Sequence, residues 1–156
     1  MSDRSAILEL MYRYAELIDA GDFDGVGHLL GRARFGGART PTLSGAENIA
    51  GLFAATTRRF EDGTPRTRHL VLNPIVEIDG DTATARSTFC VVQSTARVPL
   101  QPIVVGRYLD RFVRDQQGWH FTDRIADVEM VGDVSEHLLI DPNEFGVAHA
   151  AGSDGA

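Results

Sequence analysis

Cysteine is nearly absent: the 156-residue chain contains one, Cys90. An internal disulfide is therefore excluded, and no CxxC or Cys/His spacing offers a zinc site. Cys90 lies in a strand-like run, where it reads as a small buried side chain. A block of basic residues is also missing. Net charge is −7, so a phosphate backbone would find no Lys/Arg patch, and nucleic-acid binding is not expected. Arg58, Arg59, Arg66 and Arg68 are interrupted by Glu61 and Asp62 and read as solvated surface. No apolar run approaches a membrane span. Asp3, Arg4 and Glu9 fall in an amphipathic N-terminal pattern that lacks the apolar core of a signal peptide. These absences predict a cytoplasmic protein with no membrane partner. No phosphate-cradling glycine loop, GxSxG or HExxH occurs. No metal and no organic cofactor are expected.

The residues present are those of a folded domain. Hydrophobic residues make up 43% and charged residues 24%, and the length suits one core. Residues 5–20 carry Ile7, Leu8, Met11, Tyr14, Ala15 and Ile18 on one face at helical spacing. Gly21 stops this helix and Asp22 is placed to cap a second, over Phe23–Leu30. Residues 32–44, with Gly36, Gly37 and Pro41, read as loop with at most a short strand. Ser44, followed by Glu47, predicts the capping box of a third helix through Phe53. Beyond Pro65 the period becomes two. Strands are predicted over 67–78, 83–94, 103–114 and 119–131, with Asp79-Gly80 turning the first hairpin. Helices followed by an antiparallel meander predict an α+β fold, with a curved sheet closed by helices around a cavity. One domain over 1–140 is expected, then a tail over 141–156 that is frayed from His149.

Several side chains carry chemistry on this framework. Asp19 ends the first helix, where the helix dipole disfavours a carboxylate, so solvent, a cap or a cationic partner must compensate. His69 shares a strand face with Val71 and Asn73, and imidazole suits proton transfer near neutral pH. Tyr14 is five residues before Asp19 on the apolar face, for packing or for polarising a ligand oxygen. Tyr108 and Asp110 alternate with Gly106. Arg124 can hold an anionic group or the Asp110 carboxylate, and Gln93 shares a face with Phe89. Met11, Leu52, Phe53, Val71, Phe89 and Trp119 are expected to line a pocket for a ring-sized apolar ligand. The face opposite the pocket carries Val92, Val105, Leu109 and Val113, which predicts a homodimer or homotrimer formed through the sheet.

Four separated segments carry a resemblance. They are Arg13-Tyr14-Ala15 with Ile18-Asp19-Ala20-Gly21-Asp22; Arg66-Thr67-Arg68-His69 with Asn73; Gly106 through Phe112; and Gly118-Trp119-His120-Phe121 with Arg124. Over about residues 5–138 the chain resembles the SnoaL-like branch of the nuclear transport factor 2-like superfamily. That implies a cone-shaped, cystatin-like α+β barrel. The chain is most similar there to scytalone dehydratase, bile acid 7α-dehydratase and hexachlorocyclohexane dehydrochlorinase. The resemblance implies a cofactor-free lyase, with Asp19 and His69 as its dyad and Tyr14 as a pocket tyrosine. It also implies a departure: Gln93 stands where scytalone dehydratase has a second histidine. Isomerases and cyclases of polyketide or steroid type remain alternatives. So does a non-catalytic binding or assembly subunit, such as a dioxygenase small subunit.

Overall fold

Helix α1 spans Asp3–Asp19 in the computed structural model, which describes residues 1–145. It starts two residues earlier than the apolar pattern suggests, because Ser2 accepts the Ser5 backbone N–H at 3.1 Å. Ile7, Met11, Tyr14, Ala15 and Ile18 are buried along its inner face. Gly21, at φ +75°, ends it: Gly21 N–H donates to the Ile18 carbonyl and Asp22 N–H to that of Leu17. A Cβ at Gly21 would run into the Gly63 carbonyl, so this chain reversal requires glycine. Asp22 caps α2, Phe23–Leu29, through the Gly25 N–H at 2.9 Å.

The region expected to be mostly loop forms two short strands, β1 (Arg34–Gly37) and β2 (Leu43–Ser44). Helix α3, Ala46–Thr56, follows. Its expected cap is not formed. Ser44 is held in β2 opposite Arg34, and Gly45, at φ +96°, occupies the cap position without a side-chain bond. Asn48 Nδ2 donates to the Ser44 carbonyl instead. Four long strands complete the fold: β3 (Thr67–Asp79), β4 (Thr82–Gln93), β5 (Gln101–Asp115) and β6 (Gly118–Val131).

The sheet runs β2-β1-β6-β5-β4-β3 and does not close on itself. It departs from the all-antiparallel expectation in one place, because β1 pairs parallel to β6. Register shifts in the β3–β4, β4–β5 and β5–β6 pairings bend the strands around the helices.

The enclosed space has two different ends. At one, Phe112 and Phe121 pack with centroids 4.6 Å apart, in the same core cluster as Ile7 and Met11. Burying each such side chain contributes about 1.5–3 kcal/mol. At the other end the sheet stands off the helices. Here the segment after β6 folds back as a strap: Arg58 N–H donates to the His137 carbonyl at 2.8 Å and Leu139 N–H to that of Thr56 at 2.9 Å. A short 3-10 turn, Pro142–Phe145, follows. Residues 146–156, most of the expected tail, lie outside the described residues. No helix among the described residues is long and apolar enough to cross a membrane.

Candidate functional site

A cavity of about 430 Å³ occupies the open end. Leu52 and Phe53 of α3 form one wall, Phe89 and Val91 of β4 another, and Ala126, Val128 and Val131 of β6 a third. Its polar groups are few: Tyr14, Tyr108, His69, His137 and the hydroxyls of Thr40, Thr56 and Thr57. Phe89 stacks on Tyr108 at 4.4 Å, and this wall depends on Gly106. A Cβ there would strike the Asp127 carbonyl and approach the Phe89 ring to 2.8 Å.

The helix-end carboxylate meets its compensation at one edge of the cavity. Asp19 accepts hydrogen bonds from Thr67 Oγ1 (3.0 Å), the His69 backbone N–H (2.9 Å) and His69 Nδ1 (2.6 Å). The side chains of His69 and Asp19 are 9% and 12% exposed, so water competes little for these bonds. A carboxylate offers only acceptors, which assigns the imidazole proton to Nδ1 and leaves Nε2 with its lone pair. The pairing has a local cause. Gly21 fixes the end of α1, and the first residues of β3 pass directly beside it, so one carboxylate bonds both backbone and side chain of His69.

Tyr14 and Tyr108 lie across the cavity with ring centroids 5.7 Å apart. Burial pushes Tyr108 up to about 12, with the Arg124 charge opposing. Burial, then Tyr108, raises Tyr14 well above its ordinary value. Both phenols are therefore protonated donors near neutral pH. Beneath them lies Arg124, fully buried, with its guanidinium carbon 3.7 Å from the Tyr108 centroid and 4.1 Å from that of Tyr14. Arg124 Nη2 donates to Asp110 Oδ2 at 3.3 Å. Nε lies 3.0 Å from Oδ1 off the hydrogen-bond line, and Nη1 has no hydrogen-bond partner among the described residues. Burial, opposed by Arg124, pushes Asp110 up to about 6.

The site residues expected from sequence divide accordingly. Asp19 stands behind His69, while Tyr14, His69, Tyr108, Phe53 and Phe89 line the cavity. Four expected contacts lie elsewhere. Asn73, at φ +52°, sits in the irregularity between Leu72 and Ile75, which breaks the alternation and leaves it exposed. Trp119 is at the opposite end of the sheet, where Nε1 donates to Asp3 Oδ1 at 3.0 Å. Arg124 is consumed by Asp110 and the two aromatic rings. Gln93 is buried behind the wall, where Nε2 donates to the carbonyls of Pro65 and Glu136, each at 3.1 Å. Of the expected lining, Met11 is in the core and Val71 packs beside it rather than on the cavity wall.

Sequence reasoning missed His137. The only signal available was the spacing of Val134, His137 and Leu138, which form one turn on the Val134 carbonyl. Among the described residues no group of three or more His, Cys, Asp or Glu side chains is arranged to hold a metal ion.

A curved sheet over helices, with a His–Asp pair facing an apolar cavity, defines a class of small α+β pocket proteins. The chain belongs to the SnoaL-like domain family, whose model matches residues 1–125. An NTF2-like protein with a cystatin-like fold from Novosphingobium aromaticivorans is 25% identical, with a TM-score of 0.67 over 81% of each chain. A variant of Rv3472, a Mycobacterium tuberculosis protein of unknown function, is 26% identical, with a TM-score of 0.65 over 92% of this chain and 78% of that one. A proposed scytalone dehydratase from Novosphingobium aromaticivorans, 19% identical, has a TM-score of 0.65 over 83% of this chain and 86% of its own, a likeness of fold. A search of curated proteins returns no match.

Proposed function

We propose that the cavity carries out cofactor-free acid–base chemistry on a small, mostly apolar ring compound, with dehydration as the preferred outcome. The observation that carries this reading is the 2.6 Å contact between His69 Nδ1 and Asp19, which leaves Nε2 basic at the edge of an apolar space. His69 Nε2 takes a proton from a carbon next to a carbonyl. Asp19 fixes the tautomer and stabilises the imidazolium. Tyr14 and Tyr108 donate to the oxygen on which negative charge develops. In a dehydration the C–H electrons form the new double bond, the β C–O bond breaks, and the proton on His69 leaves with the hydroxide as water. Isomerisation and cyclisation begin with the same proton removal.

Lysine and cysteine chemistry is not served by the cavity. The chain contains no lysine, so no side-chain amine can form an imine with a carbonyl ligand. Cys90 lies on the outer sheet face, between Leu70 and Val105 in the strand register. That face exposes Leu70, Leu72, Leu109 and Met130 and supports a second, compatible reading, in which copies of the chain pair through the sheet.

The first step can be tested without knowing the natural substrate. With 2-tetralone in D2O, the protein should accelerate exchange of the protons next to the carbonyl, read by proton NMR. His69→Ala should remove roughly 10²–10⁴-fold of that acceleration while remaining folded. Wild-type exchange at the buffer rate would overturn the reading.

A further inference from the structure

The cavity contains a second imidazole that the proton transfer above does not use. His137 lies on the strap, outside the residues that match the family. The strap is fastened on both sides of it. Gln93 Nε2 donates to the Glu136 carbonyl, Arg58 N–H to the His137 carbonyl, and Leu138 bridges Thr57. An Arg58–Glu136 ion pair at 3.6 Å adds to the fastening. The position of His137 is thus set by the bonds that hold the strap.

His137 is 7% exposed and lines the cavity. Its Nδ1 is buried without a hydrogen-bond partner among the described residues. A nitrogen so enclosed is out of reach of a cavity ligand as well, so a ligand bond from this ring falls to its other nitrogen, Nε2. The ring centroid is 6.5 Å from that of His69, with the planes inclined at 61°. Both rings line the same cavity, so a ligand that places an oxygen substituent at this edge meets His69 and His137 together. Burial, then the neighbouring His69, lowers His137 to about 4, with Asp19 opposing, so it meets a ligand as a neutral ring with one donor and one acceptor nitrogen.

We propose that His137 hydrogen-bonds an oxygen substituent of the ring ligand, opposite His69, and so selects hydroxyl- or carbonyl-bearing compounds over the bare hydrocarbon. This deepens the reading above and rests on the cavity being the ligand site. Gln93 acts here as a positioning residue through the strap, in place of the direct ligand contact expected of it.

The probes are 2-naphthol and naphthalene, which share one ring system and differ by a hydroxyl. Wild-type protein should prefer 2-naphthol, by calorimetry, and His137→Phe should lose roughly ten-fold of that preference, the effect of one net hydrogen bond. His137→Gln should restore part of it. In wild-type protein labelled with 15N-histidine, the His137 ring nitrogens should shift with 2-naphthol and not with naphthalene, a readout that requires no variant to fold. An unchanged preference in His137→Phe, or silent His137 nitrogens beside responding His69 nitrogens, overturns the assignment and leaves the acid–base reading standing. Binding of neither probe to wild-type protein overturns both. A preference that depends on His137, without 2-tetralone exchange, supports the assignment and removes the acid–base reading alone.

Discussion

Replacing Asp19 by Asn probes the dyad through hydrogen-bond polarity, because the two side chains have nearly the same shape. The His69 backbone N–H points at Asp19 Oδ2 and can be satisfied only by an acceptor. The Asn carbonyl must therefore take the Oδ2 position, which puts its amide N–H2 where Oδ1 faces His69 Nδ1 and Thr67 Oγ1. A donor facing Nδ1 moves the imidazole proton to Nε2, and the nitrogen that faced the cavity as a base becomes a donor. Exchange of 2-tetralone should fall roughly 10²–10⁴-fold. Stability should change less. One or two bonds to a charged acceptor weaken, at about 1.5–3 kcal/mol each, while an unfavourable charge at the helix end is removed, worth about 0.3–1 kcal/mol. A net loss of about 2 kcal/mol lowers Tm by roughly 4–8 °C at this chain length. Long-range 15N–1H spectra of labelled histidine read the tautomer directly, alongside circular dichroism on the same sample. Folded Asp19→Asn protein with the proton still on Nδ1, or with full exchange activity, would refute the reasoning.

Two further predictions concern the buried charges. Arg124→Met leaves Asp110 buried without its counter-charge and should cost about 3–5 kcal/mol, or roughly 6–20 °C in Tm. The deficit should shrink at acid pH as Asp110 takes up a proton, and Asp110→Leu added to it should recover most of the loss; a single variant melting like wild type would count against the pair. His137, lowered to about 4 in the fold against about 6.5 unfolded, loses its contribution to stability as pH falls below the unfolded value. Asp110, raised to about 6, has the opposite sign and gains as pH falls through that value. The His137→Phe variant should therefore gain about 2 kcal/mol relative to wild type between pH 7.5 and pH 4.5. A difference in Tm independent of pH would mean that His137 titrates normally in the fold.

Much of this fold was legible because its elements carry their own punctuation. Gly21 and Asp22 marked the end of α1, and the strands after Pro65 alternated cleanly enough to place most boundaries within two residues. β1 was less visible, because a four-residue strand containing two glycines has little pattern of its own and is defined by its partner β6. The cap at Ser44 failed for a similar reason: pairing with β1 claimed the residue that the helix would have used.

The site was legible by face and illegible by depth. Alternation places Phe89 and Tyr108 on the inner surface, and the irregularity in β6 between Phe121 and Asp123 brings Trp119 and Arg124 onto it together, where strict alternation would separate them; neither says which end of the sheet stays open. That is decided by bulk far apart in sequence. Phe112 and Phe121 fill one end with Ile7 and Met11, whereas β1, α3 and the strap enclose the other. The same inward-facing surface therefore carries a tryptophan packed against the core at the start of β6 and cavity wall at Ala126 and Val128. Asp19 and His69 escaped this ambiguity because both sit at element ends, and a carboxylate at a helix C-terminus needs a donor wherever it lies. His137 had no such constraint. Its place depends on Gln93, Arg58 and Thr57 holding an irregular strap, so the polar composition of the cavity is set partly by residues that no strand or helix period encodes.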